Sequence, residues 1–196
     1  MEQAIQKTKK DKTVMLFDRI DARTVESSIK EIWKICFEDQ LYKNASLKWA
    51  SENGLTIAEI PLTPITFMLS TPGGNCYDGL ALFDTIANSS TPVEIVCSGK
   101  VMSMGVITLL AADVRKAYRN TTFMIHQVSG MSLGTLQEMM ESVEETTRVN
   151  DVLSGIIIGR TKITKEKLDE ITRAKKDWIF TAEEALELGV ITEIID

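Results

Sequence analysis

The chain has 196 residues, of which 44% are hydrophobic and 26% charged, the length and balance of one soluble globular domain and not of a disordered chain. Its net charge of -6 argues against a general nucleic-acid binder, a class marked by a basic stripe. The three cysteines, Cys36, Cys76 and Cys97, stand far apart and match no CxxC pattern, so neither a disulfide framework nor a zinc site is expected and a reducing compartment fits better.

Residues 1–12 carry Lys7, Lys9, Lys10 and Lys12 and read as a flexible, solvated tail. No signal-peptide core follows, because the apolar run 13–17 is short and meets Asp18. The purest apolar stretch, 101–112, falls well short of the roughly 20 residues a membrane span needs. The uncharged stretch 60–77 is broken by Pro61, Pro64, Pro72, Gly73 and Gly74. A cytoplasmic protein without a membrane partner is expected.

Residues 14–17 predict a short buried strand. Val25, Ile29, Ile32, Trp33, Cys36 and Phe37 follow at helical spacing, so 24–37 predicts an amphipathic helix. Residues 39–59 break that pattern and read as an insertion with some structure of its own, with Asn53-Gly54 as a turn signal. A strand over 65–69 ends in the sharp loop Thr71-Pro72-Gly73-Gly74, and a helix over 78–88 follows. A buried strand over 93–97 turns through 98–100 into an apolar helix over 103–112. A strand over 122–125 delivers His126.

One long helix is predicted over 135–160, and Thr164 starts a shorter one carrying Leu168 and Ile171. Thr181-Ala182-Glu183-Glu184 is a capping box, Gly189 stops that helix, and 190–195 is a last strand. Strands alternating with helices predict an α/β fold with a mostly parallel sheet.

The chemistry starts from scarcity. His126 is the chain's single histidine, and no other side chain titrates near neutrality unperturbed. It ends an apolar strand, where the sites of sheet proteins gather. Two serines compete as its nucleophile. Ser132 lies in a literal G-x-S-x-G, but a hydrolase elbow needs a histidine later in the chain, and none follows. Ser103 stands between a buried strand and an apolar helix, where unpaired backbone N–H groups could hold an oxyanion. A plain N-cap serine reads equally well there. Gly73 and Gly74 lack a GxGxxG pattern or a Walker lysine, so an oxyanion or an extended peptide suits them better than a nucleotide.

Four blocks together resemble the ClpP family, the serine peptidases that form the proteolytic subunit of Clp proteases. Ser70-Thr71-Pro72-Gly73-Gly74 resembles its SPGG loop, and 99–105 its nucleophile motif. Phe123-Met124-Ile125-His126-Gln127 resembles its MIHQ block, and 177–189 its acidic block. The resemblance implies a ClpP/crotonase-like β/α spiral with a projecting handle helix, in a single peptidase domain over 1–196. It implies a catalytic set of Ser103, His126 and Asp177, with oxyanion donors at the backbone N–H of Gly73 and Met104. Without the resemblance, Asp177 does not stand out from the other carboxylates. No cofactor or metal is implied. The implied partners are further copies in a heptameric ring, possibly stacked as a tetradecamer, an AAA+ unfoldase, and unfolded polypeptide substrates.

The chain departs from the family in places. The segment before Val14 does not resemble the family's pore loop, and 39–59 is longer than its connection there. Residues 128–135 lack its QPxGGxxGxxxD pattern. Met102 replaces an alanine, and Lys176 an arginine whose fork a point charge does not reproduce. A divergent member is expected, with a weak or inactive ring subunit in an assembly or accessory role as the alternative. A crotonase-type acyl-CoA enzyme would have no purpose for the Ser103, His126 and Asp177 set. A cysteine peptidase is disfavoured because Cys97 reads as core.

Overall fold

The computed structural model describes residues 12–57 and 59–196. The tail expected over residues 1–12, apart from Lys12, lies outside the described residues. Three apolar, β-rich runs, β1 (Thr13–Leu16), β2 (Ile65–Thr71) and β3 (Val93–Met102), lie parallel and side by side. The crossovers between them are α1 (Ala22–Glu52) and α2 (Cys76–Ala87). After β3 come α3 (Met104–Leu109), β4 (Val114–Tyr118) and β5 (Thr122–Ile125). The chain then forms α4 (Leu136–Arg160), α5 (Lys165–Ala174), β6 (Trp178–Phe180), α6 (Ala182–Glu187) and β7 (Glu193–Ile195). The sheet order β1-β2-β3-β4-β7 is parallel throughout, β5 also pairs with β3, and β6 runs antiparallel on β5. This is the expected α/β spiral.

β3 holds the key bend. Its first part, Glu94 to Cys97, pairs with β4, and its last part, Lys100 to Met102, pairs with β5. The strand therefore runs five residues beyond the expected end at Cys97. Gly99 sits at φ 65° between the two parts, a backbone conformation in which a side chain would be strained. The bend lets one strand serve two neighbours and gives the small β3–β5–β6 layer its own direction.

Helix starts follow local chemistry. Asp21 caps α1 through the Thr24 N–H, Thr135 caps α4 with Glu138, and Thr181 caps α6 with Glu184. α1 outlasts its expected end at Phe37. Residues 39–52 of the expected insertion continue the helix, because they contain no glycine or proline and many good helix formers. Asn53 and Gly54 then end it. The apolar periodicity lapses at Asp39, yet Asp39 is buried: its carboxylate lies 2.8 Å from Lys12 Nζ and accepts a 2.7 Å hydrogen bond from the Thr91 hydroxyl.

β4 was not among the expected strands, since Arg115 and Lys116 disguise it. Arg115 is buried, and its guanidinium donates to the carbonyls of Ala112, Val190 and Gly189, tying β4 to the end of the chain. The core between sheet and helices holds Phe67, Leu69, Ile95, Leu109 and Leu110, and the Phe123 and Phe180 rings stack with centroids 5.6 Å apart. Only the later part of α4 joins this core, through Val149, Leu153 and Ile157; its first turns are exposed and project as a handle.

The Lys12–Asp39 pair tests the length of α1. Asp39→Asn leaves a nearly buried ammonium without its counter-charge, and urea denaturation is expected to show a loss of about 3 kcal/mol. The Lys12→Met, Asp39→Leu double variant is expected to lose less than Asp39→Asn alone.

Candidate active site

Ser103 occupies the junction of β3 and α3 at φ 54° and ψ -122°. Such a conformation is costly for a residue with a side chain and persists only where the surroundings impose it. They do so here: its N–H donates to the Met124 carbonyl at 2.8 Å, and Met102 is locked into the ladder opposite Met124. The two sequence readings of this serine now separate. Its hydroxyl makes no cap hydrogen bond to α3; it lies 2.7 Å from His126 Nε2.

His126 directly follows β5, and Asp177 directly precedes β6. The antiparallel register pairs Ile125 with Trp178, so the next pair along the ladder sets His126 opposite Asp177. The distance from Nδ1 to the Asp177 carboxylate is 3.8 Å, beyond hydrogen-bond length. The Asp177 side chain is 62% exposed against 27% for His126, so this limb is open where the serine limb is closed.

The glycine turn completes the floor. The Ile20 N–H donates to Gly73 O at 2.9 Å and the Asn75 N–H to Ile20 O at 2.8 Å, which sews the turn to the segment after β1. Gly73 sits at φ 93°, and a Cβ there would lie 2.7 Å from Met102 O and 2.8 Å from Ser103 Cβ. Only glycine lets this backbone rest against the serine junction. Met104 is the first residue of α3, so its amide has no carbonyl one turn earlier in the helix. The Gly73 amide donates to Thr71 Oγ1 at 3.0 Å, whereas the Gly74 amide has no acceptor among the described residues. The turn thus offers an engaged amide at Gly73, against the serine junction, and at Gly74, against Ile20, an amide without an acceptor among the described residues.

These groups line one cavity of about 370 Å³. Its inner wall is apolar, made by Ile107 of α3, Leu153 and Ile157 of α4, and Leu168 and Ile171 of α5. Sequence reasoning did not reach the polar contributors from other elements: Arg19, Asn150 and Ser154. Asn150 had one signal, an amide set on the apolar face of a helix, and its Oδ1 accepts a 3.4 Å bond from the Val128 N–H. Tyr77, two residues past the α2 cap, donates to Glu145 of α4 at 2.5 Å, and Arg148 grips the same carboxylate from two nitrogens at 2.7 Å. These hydrogen bonds, Arg148 first, hold the Glu145 carboxyl down to about 2, so it stays ionised through the neutral range.

The other candidates lie apart from this arrangement. Ser132 is exposed, in the stretch ahead of α4. Cys97 is fully buried, and burial pushes its thiol far above the usual range; burial also pushes up Cys76, which lines the cavity. A nucleophilic cysteine needs the opposite shift.

The Clp protease family model matches residues 4–196. The ATP-dependent Clp protease proteolytic subunit of Deinococcus radiodurans is 35% identical over 138 residues, covering 69% of this chain and 67% of that protein.

The close approach of Gly73 yields a test of the geometry. Gly73→Ala keeps the amide but sets a Cβ against Met102 O and Ser103 Cβ, and is expected to slow labelling of Ser103 by a fluorophosphonate about a hundredfold, the scale of a small misplacement of reacting groups, with the circular dichroism spectrum retained. Labelling at the unmodified rate would show that this turn does not shape the serine's surroundings.

Proposed function

The chain belongs to the Clp protease family, and from that premise we propose that it is a serine endopeptidase working through Ser103, His126 and Asp177. The observation that carries this reading is the 2.7 Å approach of the Ser103 hydroxyl to His126 Nε2 at a strained strand–helix junction.

In the tautomer with the proton on Nδ1, the serine O–H donates to Nε2 and the Nδ1–H faces Asp177. As Ser103 Oγ attacks a peptide carbonyl, its proton passes to His126, and Asp177 steadies the imidazolium without taking the proton. The Met104 amide and the glycine turn receive the oxyanion. Gly73 donates there once it releases Thr71 Oγ1. His126 then returns the proton to the departing amine. A water, deprotonated by the same imidazole, hydrolyses the acyl-serine and regenerates the hydroxyl. The apolar inner wall suits an aliphatic or aromatic side chain beside the cleaved bond. No step requires a metal or cofactor.

As part of this reading, copies of the chain form a heptameric ring, two of which can stack as a tetradecamer. An AAA+ unfoldase feeds it unfolded polypeptide, and the assembly works in the cytoplasm. Among the described residues no helix is long and apolar enough to cross a membrane. One observation favours a second reading, a weak or idle ring subunit with an assembly or accessory role: the 3.8 Å gap between His126 and an exposed Asp177.

Ser103→Ala is expected to lower cleavage of fluorogenic peptides with an apolar residue at the cut by about a thousandfold or more, with particle images unchanged. Rings that neither cleave these peptides nor take the fluorophosphonate would establish the second reading.

A further inference from the structure

We propose that Arg19 determines substrate preference by receiving a carboxylate of the substrate at the mouth of the catalytic cavity. The proposal rests on the peptidase reading above and adds the chemistry of a flanking subsite to it.

Arg19 lines the same cavity as Ser103, His126 and the glycine turn. The chain has 28 acidic residues against 22 lysines and arginines, yet among the described residues no Asp or Glu and no second Lys or Arg lines this cavity. Among them Arg19 supplies its one permanent charge, and an anionic group entering there meets no carboxylate of the described lining.

The backbone at Arg19 is pinned, while the side chain is exposed and free to reach. Its N–H donates to Asp18 Oδ1 at 2.7 Å, and its carbonyl accepts from the Thr24 hydroxyl at 2.7 Å. The next residue, Ile20, is bonded on both sides to the glycine turn. The guanidinium thus springs from a point fixed relative to the oxyanion donors.

Its natural competitors are already engaged. Asp18 takes the Arg19 amide on one oxygen and the Arg23 guanidinium at 3.4 Å on the other, and Asp21 accepts the Thr24 N–H at 3.0 Å as the α1 cap. Among the described residues, no side chain or carbonyl accepts from the Arg19 guanidinium. A planar fork with five donors matches a carboxylate in two parallel bonds, which a lysine in its place would not. That carboxylate can come from an acidic side chain flanking the cleaved bond or from the free end of a peptide.

The test uses quenched-fluorescence peptides that share an apolar residue at the cut and differ only as Glu or Gln at positions scanned to either side, with amidated ends. One further peptide carries a free terminal carboxylate. At one or more positions the Glu peptide is expected to show a kcat/KM about three- to tenfold higher, the range of a partly exposed ion pair. In Arg19→Gln that ratio is expected to fall to about one, and in Arg19→Glu to favour a Lys peptide over a Glu peptide. An advantage confined to the free-ended peptide and lost in Arg19→Gln assigns the site to chain ends. An identical ratio in the unmodified protein and Arg19→Gln overturns the proposal. Fluorescence anisotropy on Ser103→Ala separates it from the peptidase reading. A Glu preference in binding that Arg19→Gln abolishes supports the subsite even if no peptide is cut, and equal binding of Glu and Gln peptides in that case sinks it.

Discussion

The site depends on β5 pairing on both of its edges at once. On one edge it runs parallel to the end of β3, with Met124 opposite Met102; on the other it runs antiparallel to β6, with Ile125 opposite Trp178. Ser103 and Asp177 each lie one step beyond those registers, and His126 lies one step beyond β5 itself. A slip of one residue on either edge would turn side chains to the opposite face and break up the group. The buried phenylalanine pair Phe123 and Phe180 resists such a slip, since the two residues are register partners and their rings pack together.

The two limbs of the Ser103–His126–Asp177 group differ because different structures hold them. Ser103 is held by a ladder on β3, by the Met124 carbonyl and by the glycine turn pressed against it. Asp177 stands on a short connection between the left-handed cap at Lys175 and a three-residue strand, exposed to solvent. Its carboxylate stops 3.8 Å from His126 Nδ1. Closing that gap takes a small movement of that connection or of the imidazole.

The cavity is built from parts of the chain that are remote in sequence. The glycine turn follows β2, Ser103 follows β3, and the apolar wall belongs to α3, α4 and α5. The Tyr77–Glu145–Arg148 cluster joins the first turn of α2, which follows the glycines, to α4. Among the described lining residues Arg19 is the one lysine or arginine, and no carboxylate stands with it.

Much was legible from residues alone where the controlling interaction is local. Thr135, Thr164 and Thr181 each start the helix expected of them, because a cap acts within three residues. The strand that delivers His126 and the serine at a strand–helix junction were also readable, as both lie at a sharp change of pattern. Asp177 was another matter: among so many carboxylates only its likeness to a known motif marked it, since an antiparallel register with β5 brings it to His126. β4 and the second half of α1 escaped because Arg115 and Asp39 are polar residues buried by partners far along the chain. The sequence by itself determined the caps, the turns and the alternation of strands and helices, which depend on near neighbours. Tertiary structure decided which serine meets the imidazole, which carboxylate comes opposite it and which residues share the cavity with them, because pairings between distant strands carry no imprint in local spacing.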